Sequence, residues 1–154
     1  MQNSIKTLRT TSSNEDFQQL VQLLDADLKI RDGEEHAFFA QYNQTTSINE
    51  VVVIYFNARA VACGAFKPFN KTTAEIKRMY VHPDFRRKGL AQTTLQKLEE
   101  WAAELGYASC ILETGIRQPE AIALYKGQGY VTIPNYGQYE NIESSVCMLK
   151  HIQA

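Results

Sequence analysis

No apolar run in these 154 residues is long enough to span a bilayer, which excludes a helical membrane protein. Met1 to Thr11 lacks the apolar core of a signal peptide. Cysteine is scarce: Cys63, Cys110 and Cys147 lie far apart in sequence. An odd count without metal-type spacing argues against a disulfide framework and against a zinc site. The three are expected on strands, as small buried hydrophobes in a cytosolic protein. Charge of one sign is missing as well. A formal net charge of −1 gives no general pull toward nucleic acid or a membrane surface. Repeats and linkers are absent, and 44% apolar with 21% charged residues is an ordinary balance. One globular domain over residues 1–154 is the expectation, with room for a single core.

What is present concentrates between Glu75 and Ala91, read as a strand, a tight basic turn and a helix start. Proline at 83 ends the strand and biases His82 toward extended geometry. Arg86, Gly89 and Ala91 give Arg-x-x-Gly-x-Ala where the helix begins. Free N–H groups and a partial positive charge gather at a helix N-terminus, and glycine lets a ligand approach the backbone. With Arg87 and Lys88 beside it, this turn suits a pyrophosphate. A local basic cluster in a near-neutral chain fits a small anion better than a long polyanion.

These residues resemble motif A of the GNAT superfamily, the acyl-CoA-dependent N-acyltransferases. Ala121-x-x-Leu124-Tyr125 followed by Gly129-Tyr130 resembles its motif B, in the right order and spacing. Gln118 stands near where that motif often has an asparagine, so an amide is retained with a different reach. The resemblance implies an α/β fold, a mixed and mostly antiparallel central sheet flanked by helices. The element pattern agrees, reading β-α-α-β-β-β-α-β-α-β-β. Strands are expected at Ile5–Arg9, Val51–Tyr55, Val61–Phe66, Glu75–Val81, Ala108–Thr114, Tyr130–Ile133 and Ser145–Lys150. A first helix capped by Ser12 or Ser13 runs to Gly33, and a short second one covers Glu34 to Tyr42. A long helix from Leu90 stops at Gly106, one from Pro119 ends near Gly127, and residues 134–143 read as a loop.

The resemblance further implies acetyl-CoA as cosubstrate and a small-molecule or peptide amine as acceptor, without nucleic acid or membrane; a homodimer stays open. Backbone at Met79, Tyr80 and Val81 would bond the pantetheine arm, and Arg86, Arg87, Lys88, Gly89, Leu90 and Ala91 the pyrophosphate, with Gln118 nearby. Acyl transfer to an amine needs a base, donors for an oxyanion and a proton for the thiolate. Glu75 is the first candidate base, because side chains at 75, 77, 79 and 81 share a face in a regular strand. Glu113 is its rival on the adjacent strand, and a water chain polarised by either carboxylate is the third option. Tyr125 is the candidate acid. The first two helices would roof the acceptor, with Arg31, Asp32, Glu34, Tyr42, Tyr136 and Tyr139 as candidates. Acidic members there favour a cationic amine, whereas Arg31 favours a carboxylate. A non-catalytic acyl-CoA sensor of the same fold is the alternative, and it would need neither acid nor base.

Overall fold

The computed structural model describes residues 4–42 and 47–153; the opening of the Met1–Thr11 stretch lies outside them. Among the described residues seven strands form one sheet: β1 (Ile5–Thr10), β2 (Glu50–Phe56), β3 (Arg59–Pro68), β4 (Thr73–Val81), β5 (Ser109–Gly115), β6 (Val131–Ile133) and β7 (Ser145–His151). Their spatial order is β1-β2-β3-β4-β5-β7-β6. Every neighbouring pair is antiparallel except β4 with β5. The helices are α1 (Glu15–Asp32), α2 (His36–Ala40), α3 (Leu90–Glu104) and α4 (Pro119–Gly127). The expected mixed, mostly antiparallel sheet with flanking helices is the one observed.

Each helix covers the sheet with the face its sequence dictates. Phe17, Leu20, Val21 and Leu24 of α1 pack on Val51, Val53, Cys63 and Ala65. Leu90, Leu95, Leu98 and Ala102 of α3 pack on the other side, over Val52, Ile54, Phe66 and Ile76. Such spacing places one apolar stripe per helix against alternate residues of each strand. The three cysteines are free and buried, on β3, β5 and β7. A buried carboxylate pins α3 to the far edge: Glu99 accepts from the Tyr130 hydroxyl at 2.8 Å and from Lys150 Nζ at 2.9 Å.

Two local expectations are corrected. Asn14, not Ser12 or Ser13, caps α1, its side chain accepting from the Phe17 N–H at 2.9 Å. Ser12 instead accepts from the Ile48 N–H, and the Ser13 hydroxyl pairs with Thr11. The predicted second helix is a 3-10 turn, Gly33–Glu35, followed by α2.

The larger correction concerns β4. Ala65 opposes Lys77 and Cys63 opposes Tyr80, so two steps on β3 face three on β4. The extra residue is Arg78, at φ 61, a left-handed conformation uncommon outside glycine. This bulge inverts the alternation. Ala74 and Ile76 lie in the core under α3, and so do Met79 and Val81, whereas Tyr80 turns to α1. Glu75 and Lys77 therefore do not share a face with Met79 and Val81. Across from the bulge, Gly64 has no room for a side chain: a β-carbon there would stand 2.6 Å from Met79 Sδ and 2.7 Å from Leu98 Cδ1.

Candidate active site

The parallel pairing of β4 with β5 covers only Thr73–Ser109, Ala74–Cys110 and Glu75–Ile111. Beyond Glu75 the strands part, leaving the β4 backbone from Lys77 to Val81 without a ladder partner on that side. A cavity of about 560 Å³ fills the fork. It passes through the sheet, bounded on one face by Leu24, Asp27, Leu28, Arg31 and Asp32 of α1, and on the other by α3 and α4.

At the α3 end, Arg87 and Gly89 both hold positive φ, 64° and 77°. Gly89 is the residue before the helix, and the space where its β-carbon would stand is open. Arg86, Arg87, Gly89, Leu90 and Ala91 line the cavity, as do Met79, Tyr80 and Val81; Lys88 does not. Arg86 folds back rather than projecting: its Nε donates to the Val81 carbonyl at 2.9 Å, and its guanidinium lies 5.7 Å over the Tyr80 ring. It braces the turn against the strand end. The structure thus offers free amides, a glycine without crowding and flanking arginines, the attributes of an anion cradle.

The three candidate catalytic residues separate. Tyr125 of α4 lines the cavity and is buried, its ring edge-on to Tyr130 at 5.7 Å. Burial and the charge of Glu113 push its phenol above the ordinary value. Among the described residues nothing hydrogen-bonds its hydroxyl. Glu113 of β5 also lines the cavity. Burial raises its carboxyl to about 7, against the opposing pull of a 2.7 Å hydrogen bond from Ser145 Oγ and the charge of Lys77. Glu75 is absent from the cavity wall. It accepts from the Tyr136 hydroxyl at 2.7 Å and lies 3.9 Å from Lys67 Nζ, on the sheet face that the bulge sets apart from Met79 and Val81.

Of the acceptor-side candidates, Arg31 and Asp32 line the cavity, while Glu34, Tyr42, Tyr136 and Tyr139 do not. Gln118 lines it too, its amide nitrogen close over Gly115. Four charged wall residues were not among the sequence-derived site candidates: Asp27, Lys77, Arg78 and Glu120. Lys77 is buried, and its pKa falls through desolvation despite the charges of Glu75 and Glu113. A lysine in the middle of a strand flanked on both sides by covering helices was the available signal for it. No helix among the described residues is long and apolar enough to cross a membrane.

Comparison with known proteins gives the family. The model of the acetyltransferase (GNAT) family matches residues 9–130. An IAA acetyltransferase of Azospirillum brasilense is 35% identical over 80 residues, 51% of this chain and 52% of that protein. The uncharacterized N-acetyltransferase YjgM of Escherichia coli is 32% identical over 104 residues, 65% of this chain and 62% of its own length. The chain thus spans between half and two thirds of these curated relatives. A Klebsiella pneumoniae structure described as an acyl-CoA N-acyltransferase superposes with a TM-score of 0.81 at 27% identity, covering 96% of this chain and 97% of that one. An Elizabethkingia anophelis GNAT acetyltransferase with acetyl-CoA bound gives a TM-score of 0.71 at 19% identity, covering 96% and 97%. A forked sheet, a glycine-led helix start and a family match over both motifs place this chain in the GNAT acetyltransferase family.

Proposed function

We propose that the protein is an N-acetyltransferase that moves the acetyl group of acetyl-CoA onto a primary amine by direct attack in a ternary complex. One observation carries this reading: a carboxyl poised near neutrality, Glu113, and an unengaged phenol, Tyr125, line the same fork. A sensor would need neither group.

In this reading the pyrophosphate rests on the amides of residues 87–91, and the pantetheine lies along the open edge of β4 as an added strand. An amide of that edge, at Met79 or Tyr80, donates to the thioester oxygen as negative charge gathers there. The attacking nitrogen loses its proton to Glu113, directly or through water. Glu113 takes precedence over Glu75 because it faces the cavity and titrates near the working pH, where a general base is most effective. The C–N bond forms, the C–S bond breaks, and CoA leaves as thiolate. Tyr125 donates a hydrogen bond to that sulfur. Its raised pKa makes it a weak acid, so it stabilises the thiolate more than it surrenders a proton.

The test is an acceptor screen with acetyl-CoA that reads release of the free CoA thiol. Gly89→Glu places bulk and negative charge at the phosphate cradle and is expected to abolish CoA binding. CoA affinity equal to that of the unaltered protein would sink the assignment of the cradle. Binding without turnover on any amine would favour the sensor.

A further inference from the structure

Resting on that reading, we propose that the acceptor is a dicationic amine of the diaminoalkane class, with Asp32 holding the ammonium that does not react. Asp32 is the last residue of α1, 7% exposed, and it lines the cavity. Its carboxylate has no hydrogen-bond or ion-pair partner among the described residues. Leaving a buried carboxylate unpartnered is costly, so a cation from the cavity is the group that fits it.

The neighbouring arginines and Lys77 are already committed, while His36, the first charge acting on Asp32, makes no hydrogen bond to it and has its Nδ1 buried without a partner among the described residues. Arg117 bonds Glu35 Oε1 at 2.9 Å and reaches only the backbone carbonyl of Asp32, at 3.4 Å. Arg31 is paired with Asp27 at 3.1 Å and also with Glu120. Arg78 is paired with Asp25 at 2.5 Å. Lys77 sits among Glu75 and Glu113. The arginines that could greet an acceptor carboxylate are thus paired within the fold, whereas the Asp32 carboxylate has no ion-pair partner among the described residues.

Geometry sets the spacing. Asp32 Oδ1 lies near Gly115, 3.9 Å from where its β-carbon would stand, with the Gln118 side-chain nitrogen at 3.3 Å from the same point. Glu113 is two residues before Gly115 on β5, on the same face, so backbone positions 113 and 115 lie about 7 Å apart along the strand. Both residues line the same cavity, so a short diaminoalkane is the acceptor class that would set one nitrogen at Asp32 and the other before Glu113. Burial raises the pKa of Asp32, with His36 and Arg117 opposing and Glu35 and Asp27 reinforcing; a bound ammonium restores the charged form.

Calorimetry on the CoA-saturated full chain tests this with three probes: 1,4-diaminobutane, 1-aminobutane and 4-aminobutanoate. The diamine is expected to bind at least tenfold tighter than the monoamine, and the aminobutanoate most weakly. Asp32→Asn should erase the diamine's advantage, Asp32→Glu should keep part of it, and both should bind CoA as before, which shows that they fold. In turnover, Asp32→Asn should raise KM for the diamine tenfold or more and change kcat by less than about threefold. Equal binding of the three probes, preference for the aminobutanoate, or an unaltered diamine affinity in Asp32→Asn overturns the proposal while acetyl transfer stands. Failure of the unaltered protein to bind CoA overturns both.

Discussion

Burial withholds water from the Glu113 carboxylate faster than Ser145 and Lys77 replace it, which has a consequence for activity and another for stability. As the base, Glu113 must be ionised, so kcat/KM should rise with pH through a limb near 7. Glu113→Gln should lower it by 10²–10⁴-fold at neutral pH and erase the limb, with the defect shrinking at high pH as free amine appears. The same change at Glu75 should leave the limb in place. A pH profile that keeps its limb in Glu113→Gln and loses it in Glu75→Gln would reverse the assignment. For stability, a folded-state pKa raised from 4.5 to about 7 means that the folded chain binds the proton more tightly. The contribution is full below about 4.5 and is lost as pH rises through 7. Glu113→Gln should therefore flatten the stability profile between those values, by up to about 3 kcal/mol; denaturant midpoints across that window would show it. Tyr125→Phe removes only the donor. It should keep CoA affinity and lower kcat, of order tenfold, given how weak an acid the buried phenol is. Unchanged turnover would return Tyr125 to a packing role.

Among the elements, β4 shows where a sequence is transparent and where it is not. The apolar stripes of α1 and α3 were readable because helical spacing alone decides which side meets the sheet. The turn at residues 86–91 was readable because glycine and basic residues have few other reasons to gather there. The face of Glu75 was not, since one bulge residue reverses every later side chain. The visible hint was Gly64, a glycine in a strand interior, which marks a bulge or a close approach. Here it marks both, with Met79 and Leu98 seated against it. The cap of α1 was misplaced by one or two residues, because Ser12, Ser13 and Asn14 are all competent and tertiary contacts claimed the serines. Gly64→Ala forces Met79 or α3 outward and should cost about 1–3 kcal/mol, measured by chemical denaturation. Because Met79 lies on the fork, CoA affinity should fall with it. Full affinity in that variant would show that the fork does not depend on α3 seating.

At the scale of the whole molecule, the split between β4 and β5 leaves one sheet with an interior edge. Amides of residues 77–81 that point into the gap rather than to β3 should exchange with solvent readily in the free protein, and those of residues 73–75, paired on both sides, slowly. Saturating CoA should slow exchange in the first group and leave the second unchanged. Hydrogen exchange read by mass spectrometry checks this. Protection confined to the α3 turn would mean that the pantetheine does not lie along β4.

The passage through the sheet has a last consequence, for traffic. In the proposed reaction, cofactor and acceptor would approach from opposite faces and meet at the gap, so that neither would block the other's doorway. Initial-rate plots at several fixed acceptor concentrations should intersect rather than run parallel. Each product should inhibit competitively only against the substrate that shares its side. Neither substrate should have to wait for the other to arrive.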